Sequence, residues 1–263
     1  MRGISTGALL GANDPDPVEL FNRDGASPFV LTCEHAGRHV PEALDDLGLG
    51  PEALARHIAW DIGAGAVSRL LAEALDAPLV SQPMSRLVID CNRPYHVPAL
   101  IPKVSDGTAV PGNQGLDDTD RQARIDAIHT PFHDAIRDIL DERRDAGRPC
   151  AVVAVHSFTP KMQSNSDDRP WHVTFLFNRN PDLSRRMLAA LLSGNDGIVS
   201  TLNEPYVVED DGDYTVPVHG EQRGIPSTLI ELRNDHITDP AGQEEWAFRL
   251  SRTMTAVARE LWR

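Results

Sequence analysis

Three apolar runs in this chain end in the same way, and that shared ending limits what it can fold into. Phe29-Val30-Leu31-Thr32-Cys33 stops on Glu34-His35-Ala36-Gly37, and Ala151-Val152-Val153-Ala154-Val155 stops on His156-Ser157. Thr228-Leu229-Ile230-Glu231-Leu232 runs into Arg233-Asn234-Asp235. Short apolar runs without polar alternation suit strands covered on both faces, as in parallel sheets. In open α/β sheets, ligands sit in the crevice beyond the carboxyl ends of the strands. His35, His156 and Glu231 are therefore expected at one sheet edge. Two imidazoles with carboxylates are the ligand set of a hydrolytic zinc site that keeps a position open for water. We expect one divalent ion, Zn2+, on His35, His156 and an acid.

Helical patterns separate these runs. Ile62, Ala66, Leu70 and Ala74 repeat every four residues, predicting an amphipathic helix over 62–75. Ile125, Ile128, Phe132, Ile136, Ile139 and Leu140 form one stripe of a helix over 118–146, which Pro131 should kink. Further helices are predicted over 183–192 and from Asp239-Pro240 onward, and two short ones over 41–50 and 51–58, each opened by a proline. Additional strands are predicted at 78–81, 87–91 and 173–177. Segments 94–115 and 203–224 are irregular; the first reads as a lid or substrate-binding loop, since long loops in compact domains are usually functional. The expected fold is a single α/β domain over residues 1–263, with a mixed, mostly parallel central sheet, helices on both faces and an irregular N-terminal segment at 1–27.

At 263 residues the chain is long enough for one large core, and its net charge of −14 argues against nucleic acid or an anionic membrane as the main partner. Cys33, Cys91 and Cys150 lie in or beside apolar runs, an odd count that suits buried free thiols of a reducing compartment. The opening residues Met1 to Leu10 carry too short an apolar core for a signal peptide, and no window approaches a membrane span. A cytoplasmic location is expected.

The acid of the metal set is open between two residues. Asp61 is the first choice, although an aspartate directly before a helix is also a favoured N-cap. Glu34 is the second, since strand alternation points it away from His35. His129 and His133 have metal-compatible helical spacing, but without a glutamate after His129 they read as helix-surface or structural histidines. Ser157 lacks the glycine-flanked elbow of a serine hydrolase. Arg86, Arg93 and Arg233 stand at strand edges, where a planar guanidinium would clamp a substrate carboxylate unless it pairs with Asp90 or Asp235. Asn92 would add a directional hydrogen bond, and His219 would orient substrate or stabilise an oxyanion unless it is a surface residue. Glu231, inside an apolar run, needs a cation or a mechanism to be buried. It is the expected general base, unless it forms a buried salt bridge to Arg93 or Arg233.

Several blocks resemble the N-formylglutamate amidohydrolase family: Thr32 to Gly37, His57 to Gly63, Ser85 to Pro94, Val155 to Pro160 and Ile230 to Asp235. The resemblance implies a zinc-carboxypeptidase-like α/β fold and hydrolysis of the formamide of N-formyl-L-glutamate to formate and glutamate, the last step of one histidine-degradation route. Carboxypeptidase-type sites carry an acid three residues after the first histidine. Here that position is Arg38, which moves the expected ligand to Asp61. The implied partner is a small acidic N-acyl amino acid. Deacylation of another N-acyl amino acid or a small peptide, and non-catalytic binding of acidic metabolites, are the alternatives.

Overall fold

The computed structural model describes residues 9–164 and 167–263. The first eight residues of the N-terminal segment therefore lie outside the described residues. In chain order the elements are β1 (Glu19–Phe21), β2 (Phe29–Cys33), α1 (Pro51–Leu54), α2 (Ala64–Leu75), β3 (Leu79–Ser81), β4 (Val104–Ser105), β5 (Thr108–Ala109), α3 (Asp118–Arg124) and α4 (Thr130–Asp145). After them come β6 (Ala151–Phe158), β7 (Val173–Leu176), α5 (Asp182–Leu192), β8 (Ser200–Leu202), β9 (Ser227–Arg233) and α6 (Pro240–Leu261).

Seven strands form one sheet in the order β1-β3-β2-β6-β9-β7-β8. The pairs β2–β3, β2–β6, β6–β9 and β7–β8 are parallel, and β1–β3 and β7–β9 antiparallel, so the sheet is mixed and mostly parallel as expected. Both faces are covered, which is why the strands read as continuous apolar runs. Phe29, Leu31, Val153, Val155 and Ile230 pack with α2, α5 and α6 in one core. Val30, Val80 and Val152 face the opposite way, against the predicted stripe from Ile125 to Leu140. Because β2, β6 and β9 are mutually parallel, their carboxyl ends open on one edge.

Several local predictions are corrected. Residues 87–91 form no strand: the Val88 amide donates to the Ser85 carbonyl and the Leu87 amide to Ser85 Oγ, so local bonds replace a ladder. The helix expected at 41–50 is a 3-10 turn over Glu42–Gly48 that passes through left-handed Asp45, Asp46 and Leu47. Its neighbour shrinks to α1. Pro131 does not kink a continuous helix; α3 passes through a π-helical turn, Ile125–His129, and Pro131 falls in the first turn of α4. The N-terminal segment supplies the edge strand β1. Strand β8 and the small β4–β5 hairpin were not expected. No described helix is long and apolar enough to cross a membrane.

Candidate active site

The register of the sheet sets up the site. His156 in β6 pairs directly with Glu231 in β9, so their side chains emerge on the same face. His35 lies in the turn after β2. That turn folds tightly against the next segment, since a Cβ on Gly37 would stand 2.1 Å from the Pro83 carbonyl oxygen. The His35 carbonyl accepts from the Asp61 amide at 3.0 Å, which brings Asp61 alongside. Asp61 does not cap α2. Gly63 occupies the position before that helix, in a left-handed conformation (φ 80°) and against the Ile237 carbonyl, and the Asp61 carboxylate turns to the histidines.

One ligand atom each from His35, Asp61 and His156 lies within 4.8 Å of the others, and all three residues are buried. Asp61 Oδ2 is 3.3 Å from His35 Nδ1 and 2.9 Å from His156 Nδ1. The far nitrogens are also held by acids: His35 Nε2 by Asp90 Oδ1 and His156 Nε2 by Glu34 Oε2, each at 2.7 Å. Glu34 thus sits behind His156 rather than beside His35, as strand alternation requires. Its other oxygen accepts from the Thr215 hydroxyl at 2.6 Å.

The electrostatics follow from this packing. Burial alone would push the Glu34 carboxyl up, but hydrogen bonds from His156 and Thr215 bring it down to about 2. Burial likewise opposes ionisation of Asp61, and the two histidines outweigh it, holding the carboxyl well below its usual range. His156 loses to burial and gains more from Asp61 and Glu34, which raise it well above the ordinary value. The surroundings therefore favour positive charge between Nδ1, Nδ1 and Oδ2. A divalent ion taking the place of the Nδ1 protons suits this donor set, with each imidazole oriented through its other nitrogen by a carboxylate. The cluster is compatible with a metal site.

Glu231 behaves in the opposite way. Burial pushes its carboxyl up to about 8, and the negative charges of Asp61 and Asp213 add to the effect. Among the described residues its Oε2 has no hydrogen-bond partner. Neither salt bridge considered for it, to Arg93 or Arg233, is formed.

These groups line a cavity of about 580 Å³. A side recess of about 210 Å³ shares His57, Arg86, Arg93, Ala99 and Tyr206 with it. Arg86 is committed to the floor, with Nη1 3.2 Å from Asp61 and Nη2 2.7 Å from Asp90. Arg93 is held loosely, 3.5 Å from Asp213 and 3.9 Å from Asp90. Asn92 lines the cavity, but its side chain pins the rim: Nδ2 donates to Asp213 at 2.8 Å, and Oδ1 accepts from the Tyr214 and Thr215 amides. Two predicted residues stand apart from the cavity lining. Arg233 bonds Asp235, the carbonyls of Arg169 and Pro170, and His236, so the pairing with Asp235 is the one realised. His219 is buried against His133 at 3.0 Å, not at the surface.

Sequence reasoning missed most of the rim. Segment 203–224, more than segment 94–115, walls the cavity, through Pro205, Tyr206, Val207, Glu209, Asp211 and Asp213. No periodicity marks such residues. In the sequence Asp90 reads only as a partner for an arginine, and its bond to His35 depends on a turn that the sequence does not announce.

A buried carboxylic acid beside convergent nitrogen and oxygen ligands, at the edge of a mixed, mostly parallel sheet covered on both faces, is an arrangement suited to hydrolysis in an α/β fold. The chain belongs to the N-formylglutamate amidohydrolase family, whose model matches residues 27–238. A crystallised gene product from Agrobacterium tumefaciens is 35% identical and superposes with a TM-score of 0.91 over 97% of this chain and 100% of that one. N-formylglutamate amidohydrolase from Ralstonia eutropha JMP134 shares the fold at 18% identity, with a TM-score of 0.68 over 94% of this chain and 98% of that one. Succinylglutamate desuccinylase from Chromobacterium violaceum aligns more loosely, at 12% identity and a TM-score of 0.41, over 89% of this chain and 63% of that one. No functionally curated protein matches the sequence.

Proposed function

We propose that this chain is a zinc-dependent amidohydrolase that cleaves the formamide of N-formyl-L-glutamate to formate and L-glutamate. His35, Asp61 and His156 would hold the ion. When bound, zinc supplies Lewis acidity at the substrate carbonyl and an activated water near neutral pH. Glu231 takes the proton of the attacking water and returns it to the departing amine nitrogen, the exchange that converts a poor leaving group into a neutral amine. Arg93 offers its guanidinium to a substrate carboxylate, and Arg86 holds Asp61 and Asp90 in position. The observation that carries the reading is Glu231 in register with His156, its Oε2 without a hydrogen-bond partner among the described residues; the positive charge of the ion would favour the ionised carboxylate that a base requires. Family membership supports amide hydrolysis; the formyl group, the glutamate, a role in histidine degradation and a cytoplasmic location rest on the resemblance.

The test is formate release from N-formyl-L-glutamate by purified protein, before chelation, after it, and with zinc restored. Release that falls and returns supports ion and substrate together. Failure to cleave it with zinc present overturns the substrate and turns attention to other N-acyl amino acids.

A further inference from the structure

The Tyr206 hydroxyl has its donor direction decided for it. Arg169 Nη1 lies 3.0 Å from Tyr206 Oη, and a guanidinium can only donate. The phenolic oxygen must accept that bond, which leaves its own proton for a different partner. Among the described residues no acceptor meets that proton. The ring lines both the main cavity and the side recess.

Arg169 is itself well placed to hold this arrangement. It is 93% buried, and its partners are neutral: the Thr159 carbonyl, Met162 Sδ and the Tyr206 hydroxyl and ring. Its cation therefore acts directly on the phenol. The side chain is 41% exposed, and desolvation with the charge of Glu231 holds the phenol's proton above its ordinary range, although Arg169 pulls the other way. Tyr206 thus remains a donor at neutral and mildly alkaline pH.

The recess says what the donor is for. None of His35, His156 or Glu231 lines it, and its two acids are already engaged, Asp90 by Arg86 and His35 and Asp106 by Arg56 and the Gln163 and Ser164 amides, so it adjoins the reacting centre and suits a neighbouring anionic part of the substrate. Arg93 lines it too, and its carboxylate neighbours at 3.5 and 3.9 Å are too far for the short bonds a guanidinium makes with a committed partner. One loosely held guanidinium and one free hydroxyl proton match the two oxygens of a single carboxylate.

We propose that Tyr206 is a specificity-determining residue that donates its hydroxyl hydrogen bond to the side-chain carboxylate of the substrate in this recess, with Arg93 as the charge partner and Arg169 as the residue that directs the proton. This rests on the hydrolase reading above. It is tested by comparing N-formyl-L-glutamate with its side-chain amide, N-formyl-L-glutamine, in the zinc-loaded wild type, Tyr206→Phe and Arg169→Met proteins. The expected result is a roughly tenfold to hundredfold fall in the preference for the glutamate substrate in Tyr206→Phe, carried by KM, and a smaller fall in Arg169→Met. Equal losses on both substrates, or a loss confined to kcat, would overturn it. Calorimetric titration of the same two ligands, with Glu231→Gln added to each of the zinc-loaded proteins, reads the preference without turnover. Wild-type preference that disappears in Tyr206→Phe supports the inference even if no formate is released, an outcome that would count against the hydrolase reading alone. A wild type that binds the two ligands equally overturns the inference.

Discussion

His156 and His133 are both at least 96% buried, yet their surroundings push them in opposite directions. His156 has a carboxylate at each ring nitrogen, and these overcome burial and favour its charged form. His133 has the Cys91 carbonyl on one side and His219 on the other, and stacks among His129, Tyr214 and His219. Burial drives it well below the ordinary value, and the neighbouring histidines add to the fall. Burial likewise brings His129 and His219 down to about 4. Depth alone therefore does not make a site. One group is wired with counter-charge and can receive a cation, while the other is neutral packing with polar edges.

That contrast can be broken at its centre by Glu231→Gln. The amide keeps the shape but can neither accept nor release a proton at neutral pH, so turnover should fall by roughly 10²–10⁴ while zinc content, measured by elemental analysis, stays near one per chain. Unimpaired turnover would remove Glu231 from the mechanism.

The next largest effect is on stability against pH in the metal-free protein. Glu231 ordinarily titrates near 4.5 and is pushed up to about 8 in the folded chain. Between those values the folded chain retains a proton that the unfolded chain has released. Its stabilising contribution is complete below about 4.5 and is lost as pH rises toward 8. Denaturant titrations of wild type and Glu231→Gln should therefore diverge with rising pH, the wild type losing on the order of 5 kcal/mol relative to the variant across that range. Parallel curves would show that Glu231 is ionised throughout.

Glu34→Gln tests the wiring itself. Replacing the acceptor at His156 Nε2 by an amide should weaken zinc binding about 10- to 100-fold in a competition titration with a chromogenic chelator. The matching change in the neutral group, His133→Gln, should leave zinc affinity unchanged and activity within a factor of about three, while costing about 1–3 kcal/mol of stability through the lost partners of Cys91 and His219. A loss of zinc affinity in that variant would dissolve the distinction between the two groups.

Much of this was legible in the sequence because parallel strands write themselves as unbroken apolar runs. The positions of His35, His156 and Glu231 at one edge followed from where those runs stop. Alternation along β2 points Glu34 away from His35, and Asp61, preferred because Arg38 stands at the family's acid position, is the carboxylate that lies between the two histidines. What stayed illegible was set by irregular chain. Arg86 and Arg233 look alike beside their strands, but a turn at 85–93 carries the first onto the cavity floor while the second ends among the carbonyls of 169 and 170. Tyr206 and Asp213 owe their places to a segment without periodicity, and Asn92 fixes that segment through three hydrogen bonds that span more than a hundred residues of sequence.

The three-residue strand β1 has an importance out of proportion to its length. It lies antiparallel on β3, at the border of a mostly parallel sheet, and a buried guanidinium, Arg143, grips the following turn by the carbonyls of Gly25 and Ser27. Without that cover the apolar β3 would present unpaired amides and carbonyls to any passing strand, including β3 of another copy. The N-terminal segment thus puts a short, largely exposed strand at the border in place of the buried β3, which is the kind of edge that offers least to a second copy.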